Sequence, residues 1–210
     1  MFGGTFDPPH VGHLVVAADA LDALNLDRVV FVPTGAQPLK GESIWAGPAA
    51  RLAMTRLAVG DEPRFVVDPI EIDRPGLSFT VDTLKEWERR CPGDERFLLL
   101  GADAVRSFAR WRDPLTVMEL AELVVLRRGD FEAGVVADWL PRAPDGAVPP
   151  HRILDARRID ISSTEIRSRV SARQSIRGFV PDGVREYIER TRLYRAGPER
   201  EAGNDQRIDQ

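Results

Sequence analysis

Short runs of apolar, mostly β-branched or aromatic residues alternate with stretches in which apolar positions recur every three or four residues, along nearly the whole chain. The runs at 28–33, 64–68, 96–101 and 122–126 are too short for helices and lack the period-two alternation of a half-exposed strand. Strands buried on both faces of a parallel sheet read this way. Between them, 11–24, 48–59 and 80–90 carry helical spacing, and 183–193 follows the start signals Pro181 and Asp182. The alternation predicts βαβ units and an α/β, doubly wound parallel sheet with helices on both faces. Ligands of such sheets bind beyond the carboxyl ends of the strands, so the segments just after strands are the ones to search for chemistry.

The Pro- and Ala-rich stretch 138–150 reads as a surface connection, and the polar residues 196–210 as a disordered tail. One domain over 1–195 is expected, its last part, 162–195, small and helical. The first strand is the odd feature. Only Met1 and Phe2 precede Gly3, whereas a central strand usually needs about five or six residues. The expectation is therefore a natural start a few codons upstream, or a weakened sheet whose neighbouring strands lack backbone partners.

Composition narrows the setting. The 210 residues are 43% hydrophobic and 30% charged, an ordinary globular mixture. Cys91 is the only cysteine, which suits a reducing, cytoplasmic compartment. No run approaches the roughly 18 apolar residues of a membrane span, and no signal peptide is visible at the N-terminus. The net charge of -4 gives no reason to expect a nucleic-acid partner, but it is unevenly spread: 12 arginines against 7 acids lie in 151–200. A local arginine-rich segment in an acidic protein suits a small phosphate-bearing ligand, although most of these arginines read as a solvated surface.

The densest chemistry is Gly3-Gly4-Thr5-Phe6-Asp7-Pro8-Pro9-His10-Val11-Gly12-His13. The glycines permit close backbone approach, and the two prolines hold the loop extended until a helix opens. His10 and His13 then fall on one face of the first turn, with Gly12 between them leaving room for a ligand against the backbone. Free amides and the helix dipole favour an anion there, and two imidazoles can donate hydrogen bonds to phosphate oxygens as charge develops. Zinc ligation by the pair is a weaker reading, since the chain has three histidines and no His-Glu-x-x-His. Neither a P-loop nor a Gly-x-Gly-x-x-Gly fingerprint is present. A merely structural tight turn is the remaining alternative.

A second helix start lies in Ile161-Ser162-Ser163-Thr164-Glu165-Ile166-Arg167. Its hydroxyl residues are cap types, and Arg167, one turn in, carries a planar fork suited to phosphate. Taken alone, an ordinary capping box with a surface arginine is the better explanation, and only the glycine–histidine loop beside it favours a phosphate. Gly101-Ala102-Asp103 follows the 96–101 run, where a ligand loop belongs, although Asp103 also suits a helix start.

Taken together, the glycine–histidine loop resembles the His-x-Gly-His signature of the nucleotidyltransferase superfamily. With the Ile-Ser-Ser-Thr-x-Ile-Arg segment, it is similar to bacterial nicotinate-nucleotide adenylyltransferases, over almost the whole chain from Phe2 to Tyr194. The resemblance implies a Rossmann-like fold. It also implies adenylyl transfer from ATP to nicotinic acid mononucleotide, yielding deamido-NAD and pyrophosphate, with Mg2+ travelling with the ATP. On this likeness His10 and His13 contact the ATP phosphates as the catalytic pair. Gly4, Thr5 and Gly12 line the phosphate loop, Gly101 and Asp103 meet the nucleoside, and Ser162, Ser163, Thr164 and Arg167 take the departing phosphates. Ser78-Phe79-Thr80-Val81-Asp82-Thr83-Leu84 is similar to the family's nicotinate segment, with Phe79 where tyrosine is usual. Phe79 and Thr80 are thus implied at the nicotinate, Trp111 stacked on the pyridine ring, and Lys40 at the mononucleotide phosphate. Leu39 replaces the histidine or aromatic residue often found before that lysine. Trp45, Trp87 and Trp139 read as packing residues. Adenylyltransferases for phosphopantetheine or nicotinamide mononucleotide are the near rivals, and a nucleotide-binding regulator without turnover the distant one. A homo-oligomer stays open.

Overall fold

The computed structural model describes residues 1–36, 44–127 and 133–195. Lys40 and the expected tail, 196–210, lie outside them.

Six parallel strands form one sheet: β1 (Phe2–Gly4), β2 (Val29–Pro33), β3 (Phe65–Val67), β4 (Phe97–Gly101), β5 (Glu122–Arg127) and β6 (His151–Asp155). Their spatial order is β3-β2-β1-β4-β5-β6. The order reverses between β1 and β4, which makes that gap the topological switch point of a doubly wound sheet. The intervening helices are α1 (Val11–Ala23), α2 (Pro48–Val59), α3 (Thr80–Arg90), α4 (Ala102–Val105), α5 (Pro114–Leu120) and α6 (Val136–Trp139), followed by α7 (Ser163–Ser171) and α8 (Asp182–Thr191).

The unbroken apolar runs are explained by burial on two sides. In β4, Phe97 and Leu99 pack with Val16, Ala17, Ala20 and Leu21 of α1, while Leu98 and Leu100 pack with Val81 and Leu84 of α3 and Val117 of α5. β5 divides the same way, Val124 and Leu126 on the α1 side and Leu123 and Val125 on the other. A third cluster joins Met54 and Ala58 of α2 to Ile166 of α7, Val184 and Ile188 of α8, and Tyr194. This cluster fastens the helical C-terminal part to the first half of the chain.

β1 is as short as the pattern suggested, yet it sits between β2 and β4. It pairs with β2 at three positions, from Phe2 opposite Phe31 to Gly4 opposite Pro33, and with β4 at Phe2 opposite Leu99. Met1 adds to the β4 side: its carbonyl accepts from the Leu99 amide at 2.9 Å, and its ammonium donates to the Phe97 carbonyl at 2.6 Å. Burial lowers the pKa of that ammonium from 8.0 to about 5. β6, α5 and the short helices were not legible in the apolar pattern. β6 is half-buried along its length at the sheet edge, so it lacks the continuous apolar run that marks β4 and β5. Among the described residues no helix is long and apolar enough to cross a membrane.

Candidate active site

The glycine loop leaves β1 and enters α1 at the switch point. Gly4 closes the strand, and its carbonyl accepts from the Thr34 amide at 2.9 Å, tying the loop to the end of β2. Phe6 turns inward with φ of 50°, and its buried ring stands edge-on to His13 at 5.1 Å between centroids. The Asp7–Pro8 peptide is cis. His10 is the N-cap of α1, and His13 lies in the helix's first turn. Their rings stand against each other, 3.7 Å between centroids and tilted by 30°. The His10 backbone amide donates to His13 Nδ1 at 3.1 Å. A nitrogen that accepts carries no hydrogen, so neutral His13 holds its proton on Nε2 and presents a donor at that edge.

Two expectations about this loop need correcting. Gly12 does not leave open room for a ligand: a Cβ there would stand 3.0 Å from His10 Nδ1, 3.1 Å from His10 Cε1 and 3.3 Å from the Ile159 side chain. The missing side chain makes space for the His10 ring instead. Nor are the first-turn amides of α1 all free. Val11 donates to the Phe179 carbonyl at 3.0 Å, and His13 donates to the His10 carbonyl at 2.9 Å. The imidazoles, more than the helix end, are what this loop offers an anion.

The second motif closes against the first. Ser162 is the N-cap of α7, its hydroxyl accepting from the Glu165 amide at 3.1 Å, so the capping explanation holds for that residue. Ser163 instead donates to the Pro8 carbonyl at 2.8 Å. Arg167 Nη1 donates to the Asp7 carbonyl at 2.8 Å and stands 3.9 Å from Asp7 Oδ2, while Nη2 donates to the Thr164 hydroxyl at 3.1 Å. Its guanidinium lies 5.6 Å from the centre of the Trp45 ring, and its side chain is only 12% exposed. Arg167 is therefore a half-buried brace of the glycine loop and not a freely solvated arginine. Trp45 packs against the third apolar cluster, in line with its reading as a packing residue, and also faces Arg167.

Four buried polar residues were not singled out from the sequence. Asp7, 2% exposed, accepts at its carboxylate from the Trp45 amide at 2.7 Å, the Ala46 amide at 3.1 Å and the Tyr194 hydroxyl at 2.7 Å. Arg51 of α2 donates from Nη1 to the Thr5 carbonyl at 2.9 Å and from Nε to the Ala46 carbonyl at 3.1 Å. Burial lowers the Arg51 pKa, and the charge of Asp7 pushes it back up. Burial also holds the Tyr194 hydroxyl well above its ordinary range, with the Asp7 charge adding to the rise, so it stays a donor. The readable signal was Arg51 itself. It falls at the spacing of Met54, Thr55 and Ala58, the buried face of α2, where a cation requires partners. Glu71 lies beneath the start of α3, accepting from the Thr83 hydroxyl at 3.0 Å, and burial raises its pKa against the pull of Thr83 and Arg74.

The remaining predicted residues gather on the β4 side. Gly101 ends β4 and is the N-cap of the short helix α4, on which Asp103 is exposed. Thr80 opens α3 and Phe79 is its N-cap. Phe79 and Trp111 are half-buried against the same apolar cluster. Trp111 stands 5.2 Å from the Phe108 ring, and its Nε1 donates to the Ser107 hydroxyl at 3.4 Å. The Arg112 guanidinium covers the Phe79 ring at 4.8 Å and pairs with Asp82 at 3.5 Å. Thus the histidine loop follows β1 and the Phe79–Trp111 group packs with β4, on the two strands of the switch point. Among the described residues, no group of three or more His, Cys, Asp or Glu side chains is gathered in a way that could hold a metal ion.

Residues 1–169 match the cytidylyltransferase-like family. The chain is 44% identical over 210 residues to a protein of Gemmatimonas aurantiaca named as a probable nicotinate-nucleotide adenylyltransferase, covering 94% of this chain and 92% of that one. It is also 44% identical over 196 residues to a protein of the same name from Thermus thermophilus, covering 93% and 98%. The chain belongs to the nicotinate-nucleotide adenylyltransferase family. Its fold is similar to that of a Plasmodium falciparum nicotinic acid mononucleotide adenylyltransferase complexed with NaAD, with a TM-score of 0.74 at 19% identity over 92% of this chain and 95% of that one. In this adenylyltransferase the family loop is held from beneath by Asp7, Arg51 and Tyr194, and from the side by Ser163 and Arg167.

Proposed function

We propose that the protein transfers the adenylyl group of ATP to nicotinic acid mononucleotide, releasing pyrophosphate and forming deamido-NAD. The observation that carries this reading is the stacked His10–His13 pair at the switch point, in a chain of this family. The reaction needs no protein nucleophile. An oxygen of the mononucleotide phosphate bonds to the α-phosphorus of ATP as the bond from that phosphorus to pyrophosphate breaks. The protein's share is then alignment and charge stabilisation. His13 Nε2–H and the His10 ring donate to the α- and β-phosphate oxygens, whose charge grows in the transition state. Gly4, Thr5 and Gly12 shape the loop beneath them. Arg167, braced on Asp7, lends its charge to the departing pyrophosphate beside the α7 start at Ser162, Ser163 and Thr164. Gly101 and Asp103 take the adenosine side.

The acceptor lies toward Phe79, Thr80 and Trp111, its ring on the Trp111 indole and its carboxylate at the α3 N-terminus. A carboxylate gains from the dipole there, whereas a carboxamide gains less and sets donors against donors. Arg112, already paired with Asp82, offsets the negative charge in that first turn. Mg2+ would enter on the ATP phosphates, where a hard cation finds oxygen and water ligands. When bound, it would neutralise phosphate charge.

The test is pyrophosphate release with ATP and three acceptors in parallel, the nicotinic acid and nicotinamide mononucleotides and phosphopantetheine, beside a control with none. Nicotinic acid mononucleotide should give the highest kcat/KM, and Trp111→Ala should mainly weaken its binding. Equal use of the two mononucleotides would contradict the placement of the carboxylate at α3.

A further inference from the structure

Tyr194 lies just beyond α8, 187 residues from Asp7, yet its hydroxyl donates to Asp7 Oδ1 at 2.7 Å in a buried setting. The chain reaches this arrangement through two non-glycine residues in the left-handed region, Arg192 at φ of 58° and Tyr194 at 64°. Side chains rarely adopt that conformation unless surrounding contacts hold them there. Around Tyr194, Met54, Ile188 and Leu193 bury the ring. The hydroxyl reaches a carboxylate that also collects the Trp45 and Ala46 amides, and whose own backbone carbonyl anchors Arg167. One hydroxyl thus completes the coordination of the residue joining the two motifs of the site.

We propose that Tyr194, acting through Asp7, is a positioning residue that sets the glycine loop and Arg167 in register with the ATP phosphates. The proposal rests on the adenylyl-transfer reading of the site. Without the Tyr194 hydroxyl, Asp7 Oδ1 keeps the Ala46 amide and Oδ2 the Trp45 amide, so the carboxylate loses one of its three donors. The carbonyl that Asp7 presents to Arg167 is then held less tightly. Misplacement of groups that position a substrate is amplified in the rate, up to about a hundredfold for about 1 Å.

The experiment compares Tyr194→Phe, Asp7→Asn and the double variant with the wild-type enzyme, using steady-state kinetics and calorimetric titration with ATP. Tyr187→Phe, which removes a half-buried hydroxyl from α8 away from the loop, is the control. Tyr194→Phe should lower kcat about tenfold, the low end of what losing a hydrogen bond to a charged group costs, and weaken ATP binding, with the KM for the mononucleotide unchanged. Asp7→Asn should lower kcat further, and the double variant should be no worse than Asp7→Asn alone, because the tyrosine works through the carboxylate. A Tyr194→Phe enzyme that melts earlier but keeps wild-type kcat and ATP affinity well below its Tm would overturn the proposal. Multiplying losses in the double variant would do the same. If the wild-type protein makes no dinucleotide, the activity reading fails, and the ATP titrations of the same variants still decide the role of Tyr194.

Discussion

Arg51→Met removes a buried side-chain cation, and its cost can be worked from the contacts. The side chain is 1% exposed and supplies two donors, one to the Thr5 carbonyl and one to the Ala46 carbonyl. A buried acceptor left without its donor costs about 1–3 kcal/mol. Two carbonyls lose their donor here. The Asp7 charge, which supports that of Arg51, keeps two amides, the Tyr194 hydroxyl and the Arg167 guanidinium at 3.9 Å. The methionine recovers packing, and the desolvation that lowers the Arg51 pKa disappears with the guanidinium. A net loss of about 3 kcal/mol follows, which for a chain of this size lowers Tm by roughly 6–12 °C. Urea unfolding followed by tryptophan fluorescence measures it directly. Arg51→Lys keeps the charge but gives up the planar fork, and should fall between the two. Asp7→Asn should cost less in the Arg51→Met background than in the wild type, by about 1 kcal/mol or more. A loss below about 1 kcal/mol for Arg51→Met, or strict additivity with Asp7→Asn, would refute the idea that this cation neutralises the loop from beneath.

Three further substitutions probe the site and its surroundings. His13→Ala should lower kcat about a hundred- to a thousandfold with a small change in Tm, since the residue is half-buried and is proposed to donate to the phosphates; near wild-type turnover would remove it from the mechanism. Gly12→Ala pushes a methyl against His10 and should lower kcat while leaving the protein folded by circular dichroism; an unaffected kcat would mean that the ring's position is not critical. Glu71 has its pKa raised above the ordinary 4.5 in the folded state, so folding binds its proton more tightly. Its contribution is therefore greatest below that ordinary value and is lost as pH rises through the raised one. Glu71→Gln should gain in Tm relative to wild type between pH 4.5 and pH 7.5, whereas a pH-independent difference would show that the carboxyl does not titrate in this way.

Much of the frame was legible because burial on both faces leaves an unbroken apolar signature. The runs that became β2, β4 and β5, and the helical spacing of α1, α2 and α3, emerge within a few residues of where the pattern put them. β6 did not, because an edge strand that carries His151, Arg152 and Asp155 has no such run. The two motifs pointed to one site, and the fold joins them through Ser163 and Arg167 on the Asp7–Pro8 backbone. What the sequence concealed is the direction in which side chains face. Gly12 was read as space for a ligand and is space for His10; Trp45 packs as read, but its contact with Arg167 was not foreseen. The buried network of Asp7, Arg51 and Tyr194 depends on contacts such as Arg51 on Thr5 and Tyr194 on Asp7, 46 and 187 positions apart, and no local spacing encodes these.

The most direct test of the account is the identity and stoichiometry of the products when purified protein is given ATP and nicotinic acid mononucleotide. Chromatography with mass detection, alongside a pyrophosphate assay, should find deamido-NAD and pyrophosphate appearing in equal amounts. Pyrophosphate should not appear when the mononucleotide is left out. Pyrophosphate released from ATP alone, or ATP consumed without a dinucleotide, would contradict direct adenylyl transfer at the His10–His13 loop.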